Sequence, residues 1–145
     1  MTDTIVLKYK KVLVVDDEPD VLEVMEEILD MCEVVKASTF DEARELLKKN
    51  DFDLVILDIM GVDGYKLLNI AKSKDMTAVM LTANALSSEH LIRAIKNGAA
   101  SYIPKEEMVN ITDFLVDILE SQDKGKSTWN FWQKRLYSPY FGKEL

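Results

Sequence analysis

Val12-Leu13-Val14-Val15-Asp16-Asp17-Glu18-Pro19 is the stretch that decides the fold. Four consecutive β-branched or leucine residues, with no in/out alternation, describe a strand covered on both faces, as in a parallel sheet. The run stops on three acids, and Pro19 suits a first helical turn, after which Val21, Leu22, Met25, Ile28 and Leu29 recur at helical spacing. Two further runs repeat the pattern: Leu54-Val55-Ile56-Leu57 ends on Asp58, and Ala78-Val79-Met80-Leu81 ends on Thr82. The weaker runs Val34-Val35 and residues 99–103 complete a five-stranded sheet.

Helical patterns separate these strands. Thr39, with Glu42 three residues on, forms a capping box ahead of Phe40, Ala43, Leu46 and Leu47. Asp63 is placed to cap a helix carrying Leu67, Leu68 and Ala71. Ser87 or Ser88 opens one carrying Leu91, Ile92 and Ile95, closed by Asn97-Gly98. Ile111, Phe114, Leu115, Ile118 and Leu119 give the last stripe. Strict β-α alternation predicts a doubly wound α/β fold, a parallel sheet with helices on both faces. In such folds ligands bind beyond the carboxyl ends of the strands. Asp16, Asp17, Asp58 and Thr82 all fall there, so they converge on one edge.

The 145 residues are enough for one core, and 48% apolar with 30% charged residues is an ordinary globular composition. The net charge of −8 disfavours nucleic acid and anionic membranes as partners. A single cysteine excludes an internal disulfide framework and suits a reducing cytosol. No apolar stretch approaches the roughly 18 residues of a membrane span, and lysines interrupt the N-terminal runs where a signal peptide would be continuous. The expected location is cytoplasmic.

Carboxylates at adjoining strand ends repel by about 4 kcal/mol per pair at about 4 Å and an effective dielectric near 20. Protonation, a lysine or a divalent ion must relieve that. An oxygen-only donor set suits magnesium, which keeps several waters and accepts a phosphate oxygen. Lys105 follows the last predicted strand and reaches the same edge. A lysine, a threonine hydroxyl, a metal and a backbone N–H after the third run make a cradle for a phosphoryl group. An aspartate inside it can form an acyl phosphate.

Four pieces carry a family resemblance: Val-Leu-Val-Val-Asp-Asp-Glu-Pro (12–19), Leu-Val-Ile-Leu-Asp (54–58), Leu-Thr-Ala (81–83) and Tyr-Ile-Pro-Lys (102–105). Together they resemble the response-regulator receiver domains of two-component signalling, the chemotaxis regulators among them, over residues 10–121. The resemblance, rather than the periodicity, implies the flavodoxin-like strand order 2-1-3-4-5. It implies that Asp58 accepts a phosphoryl group from a histidine kinase or histidine phosphotransfer protein, with Asp58, Thr82 and Lys105 as the reacting and assisting groups. It places Mg2+ on Asp16, Asp17, Asp58 and the carbonyl of Met60. Phosphoryl oxygens fall to Thr82, the N–H of Ala83 and Lys105, and Thr82 and Tyr102 form the switch pair. The last helices and strand, with the aromatic tail, then carry the change to a downstream protein, and homodimerisation stays open. The expectation is a stand-alone receiver and phosphoprotein that is no enzyme beyond its own phosphorylation and slow dephosphorylation.

Two departures from the family pattern stand out. The segment Asp58-Ile59-Met60-Gly61-Val62-Asp63-Gly64 is two residues shorter than usual and lacks a proline, and Pro104 precedes Lys105 instead of following it. Met60 and Asn84 flank the attacking water's path and offer no carboxylate to orient it, so a long-lived phosphoryl group is expected. The shortened loop keeps a second reading alive, a pseudo-receiver that binds partners without taking phosphate. A third, an aspartate-nucleophile phosphatase, needs an Asp-x-Asp after its first strand, which is absent here.

Other residues read more plainly. Cys32 and most of the methionines are packing residues, and His90 is expected to be exposed without a partner. Residues 122–127 read as a linker. Residues 128–145 form a tail, expected to be helical, that holds both tryptophans (Trp129, Trp132) as well as Phe131, Tyr137, Tyr140 and Phe141. Trp129, Trp132 and Leu136 share a helical face. The segment either folds back on its own domain or serves docking or dimerisation, where Trp and Tyr dominate binding energy.

Overall fold

The computed structural model describes residues 4–83 and 87–137. After a 3-10 turn (Thr4–Leu7), strands and helices alternate: β1 (Lys11–Val15), α1 (Pro19–Ile28), β2 (Glu33–Ala37), α2 (Phe40–Lys49), β3 (Leu54–Asp58), α3 (Gly64–Ser73), β4 (Thr77–Thr82), α4 (Ser88–Lys96), β5 (Ser101–Pro104) and α5 (Ile111–Asp123). A 3-10 stretch (Lys105–Asn110) joins β5 to α5, and a short α6 (Asn130–Trp132) continues into Gln133–Tyr137.

The five strands are parallel in the order β2-β1-β3-β4-β5. Right-handed crossovers then put α1 on one face and α2, α3 and α4 on the other. Every residue of β3 is buried, as are residues 12–15 of β1 and 78–82 of β4, which is what continuous apolar runs require of central strands. Strand β2 lies at an edge, and only Ala37 of it is fully buried. The strand order reverses between β1 and β3, so the crevice above their carboxyl ends is the natural binding position.

Of the helix starts expected to be capped by a side chain, two are and one is not. The Thr39 hydroxyl accepts the N–H of Glu42 at 3.2 Å, and the Glu42 carboxylate accepts the N–H of Ser38 at 2.9 Å. Ser87 accepts the N–H of His90. Asp63, however, makes no side-chain cap: it is in the left-handed region (φ 55°) at the end of a tight turn. In that turn the Met60 carbonyl accepts the N–H groups of Val62 and Asp63. This turn has backbone bonds where a side-chain cap was expected. Strand β5 begins at Ser101 rather than 99, because the N–H of Ala99 closes α4 onto Ala94 across Gly98, whose φ is 85°.

Candidate functional site

Strands β1, β3 and β4 each deliver a polar residue to the same end of the sheet. Register fixes this: Val15 lies beside Leu57, and Asp58 beside Leu81, so Asp16, Asp58 and Thr82 are neighbours in the crevice. All three are buried among apolar strands, with Asp16 at 0% and Asp58 at 4% exposure. Asp17 and Glu18 open to solvent, and the carboxylate oxygens of Asp16, Asp17 and Glu18 lie within 4.8 Å of one another.

Lys105 arrives from the end of β5. Its ammonium group lies 2.7 Å from Glu18, 2.9 Å from Asp16 and 3.5 Å from Asp58. The Glu18 N–H donates to the other oxygen of Asp16 at 2.9 Å, fixing that carboxylate's orientation. Burial raises the pKa of Asp58 to about 6, with the charge of Asp16 adding to the rise and Lys105 opposing it. Burial likewise pushes Asp16 upward against its bond from Glu18 and its ion pair with Lys105. For Lys105, burial alone would lower the pKa, but Glu18, Asp16 and Asp58 outweigh it and hold the ammonium form.

Three carboxylates therefore meet one ammonium, with Asp17 beside them, and every donor is oxygen. That surplus of negative charge fits a hard divalent cation. The packing of Gly61 adds to the fit, since a Cβ there would lie 2.5 Å from the Asp17 carboxylate. The Met60 carbonyl is engaged by two turn N–H groups, and the Met60 side chain is exposed. Ala83 is exposed at the end of β4, and Asn84 lies outside the described residues.

Tyr102 is fully buried in β5, and its hydroxyl has no hydrogen-bond partner among the described residues. Beside it is a cluster with no forewarning in the sequence. The Tyr65 ring stacks on His90 (centroids 6.0 Å apart, planes within 9°), its hydroxyl is 3.0 Å from His90 Nδ1, and the Arg93 guanidinium lies 3.9 Å over its face. Burial raises the Tyr65 hydroxyl's pKa, and the neighbouring Tyr102 phenol adds to the rise. His90 is thus half-buried and partnered, contrary to the sequence reading, because α3 presents an aromatic face to the start of α4. Glu18 was also missed as a partner of Lys105; the two are 87 residues apart, and only the strand order brings them together.

A doubly wound sheet with an acidic crevice at its reversal point and a lysine reaching in from the last strand defines a class of α/β phosphate-handling domains. Residues 12–115 match the response regulator receiver domain family, and the chain belongs to it. Among curated proteins it is similar to the two-component response regulators ARR18 (36% identical over 116 residues, 73% of this chain and 18% of that protein) and ARR2 (33% over 131 residues, 83% and 19%) of Arabidopsis thaliana. The chain thus spans about a fifth of the length of these relatives. Among solved structures, a CheY-like receiver domain protein from Methanospirillum hungatei superposes with a TM-score of 0.72 at 27% identity, covering 81% of this chain and 99% of that one. The chemotaxis protein CheY4 of Vibrio cholerae gives 0.65 at 27% identity, covering 74% and 98%. This is a receiver domain of two-component signalling. Receiver domains are phosphoacceptors rather than classical enzymes, and such signalling implies a kinase or phosphotransfer partner. Among the described residues, no helix is long and apolar enough to cross a membrane.

Proposed function

We propose that Asp58 is the phosphoacceptor and that the receiver spans residues 10–121, with 122–127 as a linker and 128–145 as a tail. What carries this reading is the convergence of Lys105 on Asp16 and Asp58 from the end of β5, three places from β1 and two from β3 in the sheet. An Asp58 carboxylate oxygen attacks the phosphorus of a phosphohistidine. The new O–P bond forms as the P–N bond breaks, and the imidazole leaves with that electron pair. Lys105 turns from Glu18 to a phosphoryl oxygen, and the Thr82 hydroxyl and the Ala83 N–H bind the others. Asp16, Asp17 and Asp58 would hold magnesium, with the Met60 carbonyl joining only once its turn opens. Magnesium supplies positive charge against the phosphoryl oxygens, which a site carrying four carboxylates otherwise repels.

With an exposed, apolar Met60 two residues past the acceptor, no carboxylate there orients water, so the acyl phosphate is long-lived. Thr82 and Tyr102 form the switch pair. The hydroxyl of Tyr102, buried without a partner among the described residues, supports this, since such a group is held at a cost that a second arrangement relieves. The engaged Met60 carbonyl favours the pseudo-receiver as the competing reading. Acetyl phosphate with magnesium, followed by intact mass, separates the two. A single phosphate adduct that disappears in Asp58→Asn and in EDTA supports the phosphoacceptor, and an unmodified mass supports the pseudo-receiver. A half-life of seconds for the adduct would contradict the long-lived acyl phosphate.

A further inference from the structure

The outer edge of β5 is already occupied by this chain. As the last strand of the sheet, β5 presents carbonyl groups with no strand to pair with, the kind of edge that invites association. The C-terminal segment covers Tyr102 of that edge, and the two residues that lead into it, with side-chain donors. The Thr128 hydroxyl donates to Ala100 O at 2.8 Å, the Trp129 indole to Ala99 O at 3.1 Å, and the Trp132 indole to Tyr102 O at 2.5 Å. Trp132 and Leu136 are each 1% exposed, and Phe131 packs edge-on against Phe114 of α5. Arg135 pairs with Glu107 at 3.2 Å. The segment hangs on residues 122–127, all exposed, in which Gly125 takes φ 67° with open space around it. It leaves α5 through a turn closed by the Lys126 N–H on Ser121 O at 2.7 Å, and then docks through specific contacts.

Two of these anchors bracket the lysine of the site. Tyr102, whose carbonyl holds Trp132, is three residues before Lys105, and Glu107, which holds Arg135, is two residues after it. A shift of the Lys105 backbone toward a new anion at Asp58 would act on both anchors. We propose that residues 128–137 are a resident ligand of the β5 edge, released when Asp58 is phosphorylated. The coupling rests on the phosphoacceptor reading above. It is also reciprocal: whatever weakens docking must tighten binding of the phosphoryl group.

Both tryptophans of the chain are in this segment, so indole fluorescence reports on it directly. The experiment reads the tryptophan emission of the full chain, to which Trp132 contributes from its buried site, with acetyl phosphate and magnesium and with intact mass measured on the same sample. Release predicts a red shift and stronger acrylamide quenching in step with the adduct, and neither change in an Asp58→Asn background. Arg135→Gln, which removes the anchor on Glu107, is expected to bind beryllium fluoride with magnesium about fivefold tighter, the lower end of typical couplings. An adduct with unchanged tryptophan emission and unchanged beryllium fluoride affinity overturns the coupling alone. No adduct at all overturns the phosphoacceptor reading and the coupling with it.

Discussion

Asp58 carries a cost in the magnesium-free protein that sets its pH response. Its carboxyl titrates near pH 6 in the folded state and near 4 when unfolded. Between those values the folded state keeps a proton that the unfolded state has lost, so stability falls as pH rises through that window and stays lower above it. Asp58→Asn is therefore expected to raise stability at pH 7 in EDTA by about 2–3 kcal/mol, the equivalent of that shift. The gain vanishes below pH 4 and shrinks in saturating magnesium; urea titrations across pH check it, and a gain independent of pH would contradict it. Two glycines nearby answer differently to alanine. At Gly61 the added Cβ meets only the end of the Asp17 side chain, whereas at Gly64 it would lie 2.2 Å from the Asp58 carbonyl oxygen. Gly61→Ala should leave the melting temperature nearly unchanged and weaken magnesium binding. Gly64→Ala should cost about 3 kcal/mol or more, because backbone has to move. The acids of the site were legible because each ends an apolar run. Glu18 as the partner of Lys105 and Tyr65 as the partner of His90 were not, since those contacts depend on which strand ends and helix faces adjoin.

At the scale of elements, the buried runs and the helix stripes were readable because periodicity and continuous burial are local properties. What failed was set by neighbours. Asp63 lost its capping role to a turn that holds its backbone at positive φ, and β5 lost residues 99 and 100 to the closure of α4. Lys74 shows a stabilising contact that no local pattern announces. Its ammonium reaches across from the end of α3 to cap α2, donating to Leu47 O at 2.6 Å and Asn50 O at 3.1 Å. Those carbonyls lie at the negative end of the α2 dipole, where a cation is favourable. Lys74→Met is expected to lower stability by about 1 kcal/mol, read as a lower urea midpoint at constant m-value, with phosphorylation unaffected.

For the whole molecule, the parallel sheet and its site edge followed from β-α alternation, but the place of the aromatic segment did not. Amphipathic spacing says that Trp132 and Leu136 need cover and not whose surface provides it. The structure gives them β5 and α5 of their own domain. Leu136→Ala, which empties a fully buried position, should destabilise the protein by about 2–4 kcal/mol if the segment is part of the cooperative unit. A melting curve identical to that of the parent would place the segment outside it. The central claim is that one carboxylate, crowded by acids and faced by Lys105, becomes an acyl phosphate. Reduction of the phosphorylated protein with borohydride converts an aspartyl phosphate to homoserine, which peptide sequencing by mass spectrometry locates. Homoserine at position 58 and at no other aspartate is the predicted result; aspartate retained at 58, or homoserine at Asp16 or Asp17 instead, would contradict the account.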